Sequence, residues 1–203
     1  MKVLLINGSP NKAGCTYTAL SEVAGALQKE GIETEIFHVG TQPVSGCLAC
    51  RSCKKTGRCV IDDGVNDLVD RLDTFDGLIL GSPVYYAGPN GSLCALLDRL
   101  FFSSKQHLQY KPAAAVAVCR RGGASATFDR LNKYFTISNM PVVPSQYWNS
   151  VHGLMPGDVE QDAEGLQTMR TLARNMAWML KALNAPGVER PEREEPIYTS
   201  FVR

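Results

Sequence analysis

Two stretches of this 203-residue chain hold residues whose types and spacing can do chemistry. The first is Cys47-x2-Cys50-x2-Cys53-x5-Cys59, which gathers four of seven cysteines into thirteen residues. The chain reads as cytoplasmic. No apolar run is long enough to span a bilayer, and the apolar start runs into Gly8-Ser9-Pro10-Asn11-Lys12, which is no leader cleavage site. A disulfide framework is not expected in that compartment. Zinc ribbons separate two C-x2-C knuckles by a dozen or more residues, so the compact run is a poor zinc fit. Three thiolates at x2 spacing suit a cubane iron-sulfur cluster better. The run departs from the ferredoxin pattern by its x5 gap and by lacking the following proline. Free thiols, or a lid over a neighbouring site, remain alternatives.

The second stretch runs from Val3 to Thr18. Val3-Leu4-Leu5-Ile6 suits a strand buried on both faces, and Gly8 breaks it. Ala19, Leu20, Val23, Ala24 and Leu27 then recur at helical spacing. Strand, tight loop and helix start aim unpaired N–H groups and the positive helix end at one spot, where a phosphate is stabilised. Ser9, Asn11, Thr16 and Thr18 add hydrogen-bonding side chains. The loop lacks G-x-x-x-x-G-K-[ST] and G-x-G-x-x-G, which argues against a P-loop nucleotidase and a dinucleotide fold. Net charge is +1 and calls for neither nucleic acid nor an anionic membrane.

These stretches need a scaffold. The size suits one α/β domain, taken as residues 1–184, with 185–203 as an extended arm rich in Pro, Glu and Arg and tipped by Ile197, Tyr198, Phe201 and Val202. The patterns predict strands over 32–39, 77–81, 113–119 and 140–143 after the first. Helices are predicted over 64–75, after Gly91, around Phe128–Phe135 and over 166–183. Strict alternation implies a five-stranded, doubly wound parallel sheet covered on both faces, with strand order 2-1-3-4-5. Ligands sit at the carboxyl ends of such strands, so the loops after strands 1, 3 and 4 should meet. The second of these contains Gly81-Ser82-Pro83-Val84-Tyr85-Tyr86-Ala87-Gly88, with aromatic stacking surface. The third contains Cys119-Arg120-Arg121-Gly122-Gly123, whose glycines admit close backbone approach.

The first loop resembles the G-S-P-x-x-x-G-x-T phosphate loop of the flavodoxin-like NADPH-dependent FMN reductases, and the second resembles their S-P-V-Y-[YW] segment. Cys15 departs from the pattern where many members carry Asn. The cysteine run resembles the compact motif of the iron-sulfur flavoproteins, relatives that carry FMN and a [4Fe-4S] cluster. The resemblance implies FMN held by Ser9, Asn11, Cys15, Thr16, Tyr17 and Thr18 at the phosphate. It implies Pro83, Val84, Tyr85, Tyr86 and Ala87 at the ring, and Arg121, Gly122 and Gly123 at the pyrimidine edge. Cys47, Cys50, Cys53 and Cys59 would be the metal ligands. The implied activity is electron transfer from NAD(P)H through FMN to another flavin, a quinone, a nitro or an azo compound, with no protein residue as catalyst. A relay from ferredoxin-like donors and a non-enzymatic zinc-binding scaffold are the alternatives. Such reductases associate, so a homodimer or homotetramer is expected. Leu100-Phe101-Phe102 and the arm are its candidate contacts.

Overall fold

A computed structural model of the chain describes residues 1–192, 194–199 and 201. At its centre is a parallel sheet of β1 (Lys2–Asn7), β2 (Glu33–His38), β3 (Gly77–Tyr85), β5 (Ala113–Cys119) and β6 (Ser150–His152). A two-residue antiparallel strand, β4 (Gly88–Pro89), turns back on the end of β3. The order across the sheet is β2-β1-β3-β5-β6. In β1, Val3, Leu4, Leu5 and Ile6 are all buried, and every residue of β5 is buried. Strands covered on both faces have no polar face to alternate with, which is why they read as continuous apolar runs.

Alternate residues of β1 face opposite layers. Val3 and Leu5 join α1 (Cys15–Lys29) and α7 (Ala163–Leu183), while Leu4 and Ile6 join α3 (Gly64–Val69), α4 (Gly91–Ser104) and α5 (Ala124–Thr136). Two short helices complete the fold, α2 (Cys53–Thr56) in the cysteine segment and α6 (Pro156–Gln161) before α7.

The doubly wound parallel arrangement is as the sequence predicts, and three details differ. The sheet has six strands and not five, because the Pro83–Pro89 segment folds back as a hairpin. The run 140–143 supplies only the start of the last strand position. The Val143 N–H donates to the Ala113 carbonyl and Val142 bridges Ala113; the chain then leaves at Pro144, which has no N–H to offer. It returns at Asn149, whose carbonyl accepts the Ala117 N–H, and β6 follows with Val151 as its one buried residue. A single buried residue leaves no periodicity to detect. The helix expected over 64–75 ends at Val69, and a 3-10 turn at Leu72–Thr74 carries Leu72 and Phe75 into the core.

The arm from 185 forms no helix or strand among its described residues. The Tyr110 hydroxyl donates to the Pro191 carbonyl, and Ile197, Tyr198 and Phe201 stand exposed. Val202, part of the expected apolar tip, lies outside the described residues. No helix of the described chain is long and apolar enough to cross a membrane.

Candidate flavin and thiol sites

The loop between β1 and α1 is held open from inside. The Asn7 carboxamide oxygen accepts the Ser9 N–H at 3.0 Å, Ser9 Oγ accepts the Asn11 N–H at 3.1 Å, and the Gly8 N–H donates to Gly81 of β3 at 2.8 Å. Gly8 is required by crowding. A Cβ there would lie 2.6 Å from Leu93 Cδ2 and 3.0 Å from the Gly81 carbonyl oxygen. Outside the loop, His38 Nε2 donates to the Ser9 carbonyl at 2.8 Å, so the end of β2 braces it.

Gly14 caps α1 without a side chain, which leaves the N–H groups of Cys15, Thr16 and Tyr17 without acceptors among the described residues. Three such donors at the positive end of a fifteen-residue helix have the geometry that suits an anion. Thr16 is buried beside them, Asn11 and Tyr17 are exposed, and the Thr18 hydroxyl turns back to the Gly14 carbonyl. Burial holds the Cys15 thiol above its ordinary pKa. An open cavity of about 380 Å³ lies against this loop, and Leu154, Met155 and Pro156 form its other wall. That wall was not foreseen, because exposed apolar residues before a short helix carry no pattern.

The second loop is a two-residue hairpin. Tyr85 pairs with Gly88, and the residues between them, Tyr86 and Ala87, have φ of 50° and 59°. Tight hairpins take positive φ at both central positions to match strand twist, and Asn-Gly is the usual occupant. A tyrosine and an alanine there cost roughly 1 to 2 kcal/mol each. Such strain persists where the surroundings enforce it and is typical of ligand contacts. Ser82 Oγ accepts the Asn90 N–H at 2.9 Å, and Asn90 Oδ1 caps α4 through the Leu93 N–H. The hairpin and α4 are therefore locked together. Pro83 and Val84 are half-buried, whereas Tyr85, Tyr86 and Ala87 form an open shelf.

The third loop closes on the second. Gly123 has φ of 87°, and a Cβ there would lie 2.9 Å from both Ala87 Cα and Val84 Cγ1. Gly122 has no such neighbour. Arg120 and Arg121 are exposed and form no ion pair among the described residues. The structure thus brings the three loops together at the carboxyl edge of β1, β3 and β5.

The four cysteines line one cavity, together with Arg99 and Phe102 of α4. Cys47 and Cys50 are exposed, Cys53 and Cys59 half-buried. Burial, then the neighbouring Cys50, Cys47 and Cys59 thiols, pushes the Cys53 pKa up. Hydrogen bonds from Ser52 lower that of Cys50. No group of three or more His, Cys, Asp or Glu among the described residues closes around a single point as one ion requires. The thiols face a shared space.

Arg99 received no role in the sequence reading. Its side chain is fully enclosed, donating to Cys59 Sγ at 3.2 Å and to both Asp63 carboxylate oxygens at 2.7 and 2.8 Å. Asn66, buried on α3, accepts the Cys59 N–H and donates to the carbonyls of Cys59 and Ile61. The available signal was a cation beside the buried stripe Leu93, Leu96, Leu97 and Leu100.

A five-position parallel sheet of this order, with a glycine loop leading from β1 into a helix N-terminus and an aromatic shelf after β3, defines a flavodoxin-like α/β protein. Solved structures agree on the fold. A flavodoxin from Archaea superposes with a TM-score of 0.61 at 14% identity over 89% of this chain and 99% of its own. RosB, bound to 8-demethyl-8-formylriboflavin-5'-phosphate, superposes with a TM-score of 0.71 at 14% identity over 100% of this chain and 99% of its own. The family model described as NADPH-dependent FMN reductase matches residues 1–154. An iron-sulfur flavoprotein of Methanocaldococcus jannaschii is 35% identical over 90% of this chain and 99% of its own length. The chain belongs to the NADPH-dependent FMN reductase family and is a flavin-dependent oxidoreductase.

Proposed function

We propose that the chain is an iron-sulfur flavoprotein. FMN sits on the α1 N-terminus, the Tyr85–Ala87 shelf and the Gly122–Gly123 turn, and Cys47, Cys50, Cys53 and Cys59 hold a [4Fe-4S] cluster. The observation that carries the reading is that all four thiols face one cavity whose wall is α4, the helix locked at its cap to the flavin hairpin. Arg99 lies nine residues beyond Asn90, about 13 Å along the helix at 1.5 Å per residue. That cavity's lining holds four thiols and no His, Asp or Glu, a donor set that suits iron-sulfur clusters. The flavin, when bound, exchanges electrons in pairs or singly and the cluster singly.

The chain's own residues bind and orient. The N–H groups of Cys15, Thr16 and Tyr17 receive the phosphate. Tyr85 and Tyr86 offer stacking faces, and the Arg121 guanidinium, which has no ion pair among the described residues, stabilises negative charge at the pyrimidine edge. Electrons enter from NAD(P)H or from a reduced ferredoxin-like donor and leave to a small flavin, quinone, nitro or azo acceptor. A second reading, an NAD(P)H-dependent reductase whose cysteine segment is only a lid, is favoured by the openness of the Tyr85–Ala87 shelf, which admits a second planar molecule. There NAD(P)H gives up a hydride, which together with one proton from solvent supplies the two electrons and two protons that the acceptor gains.

Anaerobically purified protein, assayed for released flavin, iron, sulfide and zinc, tests both readings. The expected result is one FMN and about four irons per chain, the stoichiometry of the cluster type. C47A, C50A, C53A and C59A each lose the broad cluster absorbance and keep FMN. FMN without iron selects the second reading, and zinc without iron overturns the cluster assignment. FAD, or no flavin after FMN is added, overturns the flavin assignment.

A further inference from the structure

Cys59 stands apart from the other three thiols. Cys47, Cys50 and Cys53 lie on a segment that twists through left-handed residues at Ala49, φ 53°, and Arg51, φ 61°, and is exposed along most of its length. Cys59 follows the Thr56–Arg58 turn and is anchored from below. Its backbone is clamped by Asn66, and its Sγ accepts the Arg99 Nε–H at 3.2 Å.

Every other donor of that guanidinium is also occupied. Nη1 donates to the Ser45 carbonyl at 3.3 Å and to Asp63 at 2.7 Å, and Nη2 to the Ile61 carbonyl at 3.0 Å and to Asp63 at 2.8 Å. Those bonds tie Ser45, ahead of the first cysteine, to the Cys59–Asp63 segment and to α4. Lysine, a point charge without the planar fork, cannot reach all of these partners. A packing role alone would be served by the apolar side chains that fill the rest of that helix face. A cation placed there instead costs desolvation unless an anion remains beside it.

We infer that Arg99 is the positioning residue of the thiol cavity. It fixes Cys59 as the ligand that closes the set, and its N–H···S bond and charge raise the reduction potential of the cluster held there. The inference rests on the cluster reading above. A positive charge and a hydrogen bond on a ligating sulfur stabilise the reduced, more negative state, and hydrogen bonding to sulfur is a known lever on cluster potential.

The test compares wild-type full-length protein with R99M, R99K and D63N/R99M, all prepared anaerobically. The double variant removes the carboxylate that R99M leaves unpaired. The measurements are FMN, iron and the midpoint potential from a spectroscopic redox titration. R99M and D63N/R99M are expected to retain FMN, to hold less than half the wild-type iron, and to shift the remaining cluster negative. A tenfold change in the reduced-to-oxidised ratio corresponds to about 59 mV for one electron. R99K keeps the charge without the fork and falls between. Wild-type iron and wild-type potential in R99M and the double variant overturn the inference alone. Wild-type protein without iron removes the cluster reading, and the inference with it.

Discussion

Replacing Gly123 by alanine adds one methyl group at the point where the third loop meets the second. Two costs follow from the geometry. The residue sits at φ of 87°, where an L-residue loses roughly 1 to 2 kcal/mol. The new Cβ would also lie 2.9 Å from Ala87 Cα, a backbone atom that no rotamer change can move. Relieving such overpacking costs about 1 to 3 kcal/mol. The total is about 2 to 5 kcal/mol, and where it falls depends on which side yields. The Tyr85–Gly88 hairpin already holds two residues at positive φ and is exposed, whereas α5 is anchored through buried Leu131 and Phe135. The hairpin yields, so the shelf opens and FMN affinity drops. Even the low end of that range is close to thirtyfold at about 1.4 kcal/mol per factor of ten. The adjacent G122A meets no atom within 4 Å and is expected to stay within about 0.5 kcal/mol of wild type. The assay is titration of flavin-free protein with FMN, followed by quenching of flavin fluorescence, alongside thermal unfolding. Equal affinities for G122A and G123A, or a G123A protein that binds FMN as wild type does, would refute the reasoning.

At the phosphate end, T16A is expected to weaken FMN about fivefold, the worth of one ordinary hydrogen bond of about 1 kcal/mol. T16E is expected to weaken it more than about a hundredfold, since a carboxylate near 4 Å from a phosphate charge costs about 4 kcal/mol at an effective dielectric of 20. Riboflavin, which lacks the phosphate, should bind both variants alike, and loss of riboflavin together with FMN would count against the phosphate assignment. The hydrogen bonds from Arg99 hold the Asp63 carboxyl below its ordinary value. A depressed carboxylate contributes stability above its unfolded pKa, about 3.9, and loses it as pH falls through the native value. Thermal unfolding between about pH 2 and 6 should therefore show an acid slope that D63N reduces, and identical slopes would show that the pair adds nothing. Of the expected contact Leu100-Phe101-Phe102, the first two are buried in the core and only Phe102 is exposed. With Tyr86, Ile197 and Tyr198 also exposed, light scattering is expected to report at least a dimer, and truncation before Glu192 should weaken it; a monomer at all concentrations would remove that expectation.

Much of this protein is written locally. The loop between β1 and α1 lies in one unbroken stretch of sequence, because a buried strand, a glycine that must clear Leu93 and a helix start are all neighbours in the chain. The doubly wound sheet follows from alternating strands and helices, since right-handed crossovers leave few other solutions. The cysteine spacing likewise announces soft-ligand chemistry before any contact is known. The last strand position is only half legible, in the run 140–143, because its sheet contacts are split on either side of Pro144 and β6 buries only Val151. The strained Tyr86-Ala87 turn breaks the residue preferences by which such turns are recognised, so only the backbone reveals it. Arg99 was the largest omission. Forty residues separate it from Cys59 and thirty-six from Asp63, and within its own helix it is simply a charge beside a leucine stripe. Its meaning is set by which loop the fold lays over that stripe. A buried guanidinium takes its function from the partners that fill its donors, and here those partners come from segments that only the tertiary structure brings together.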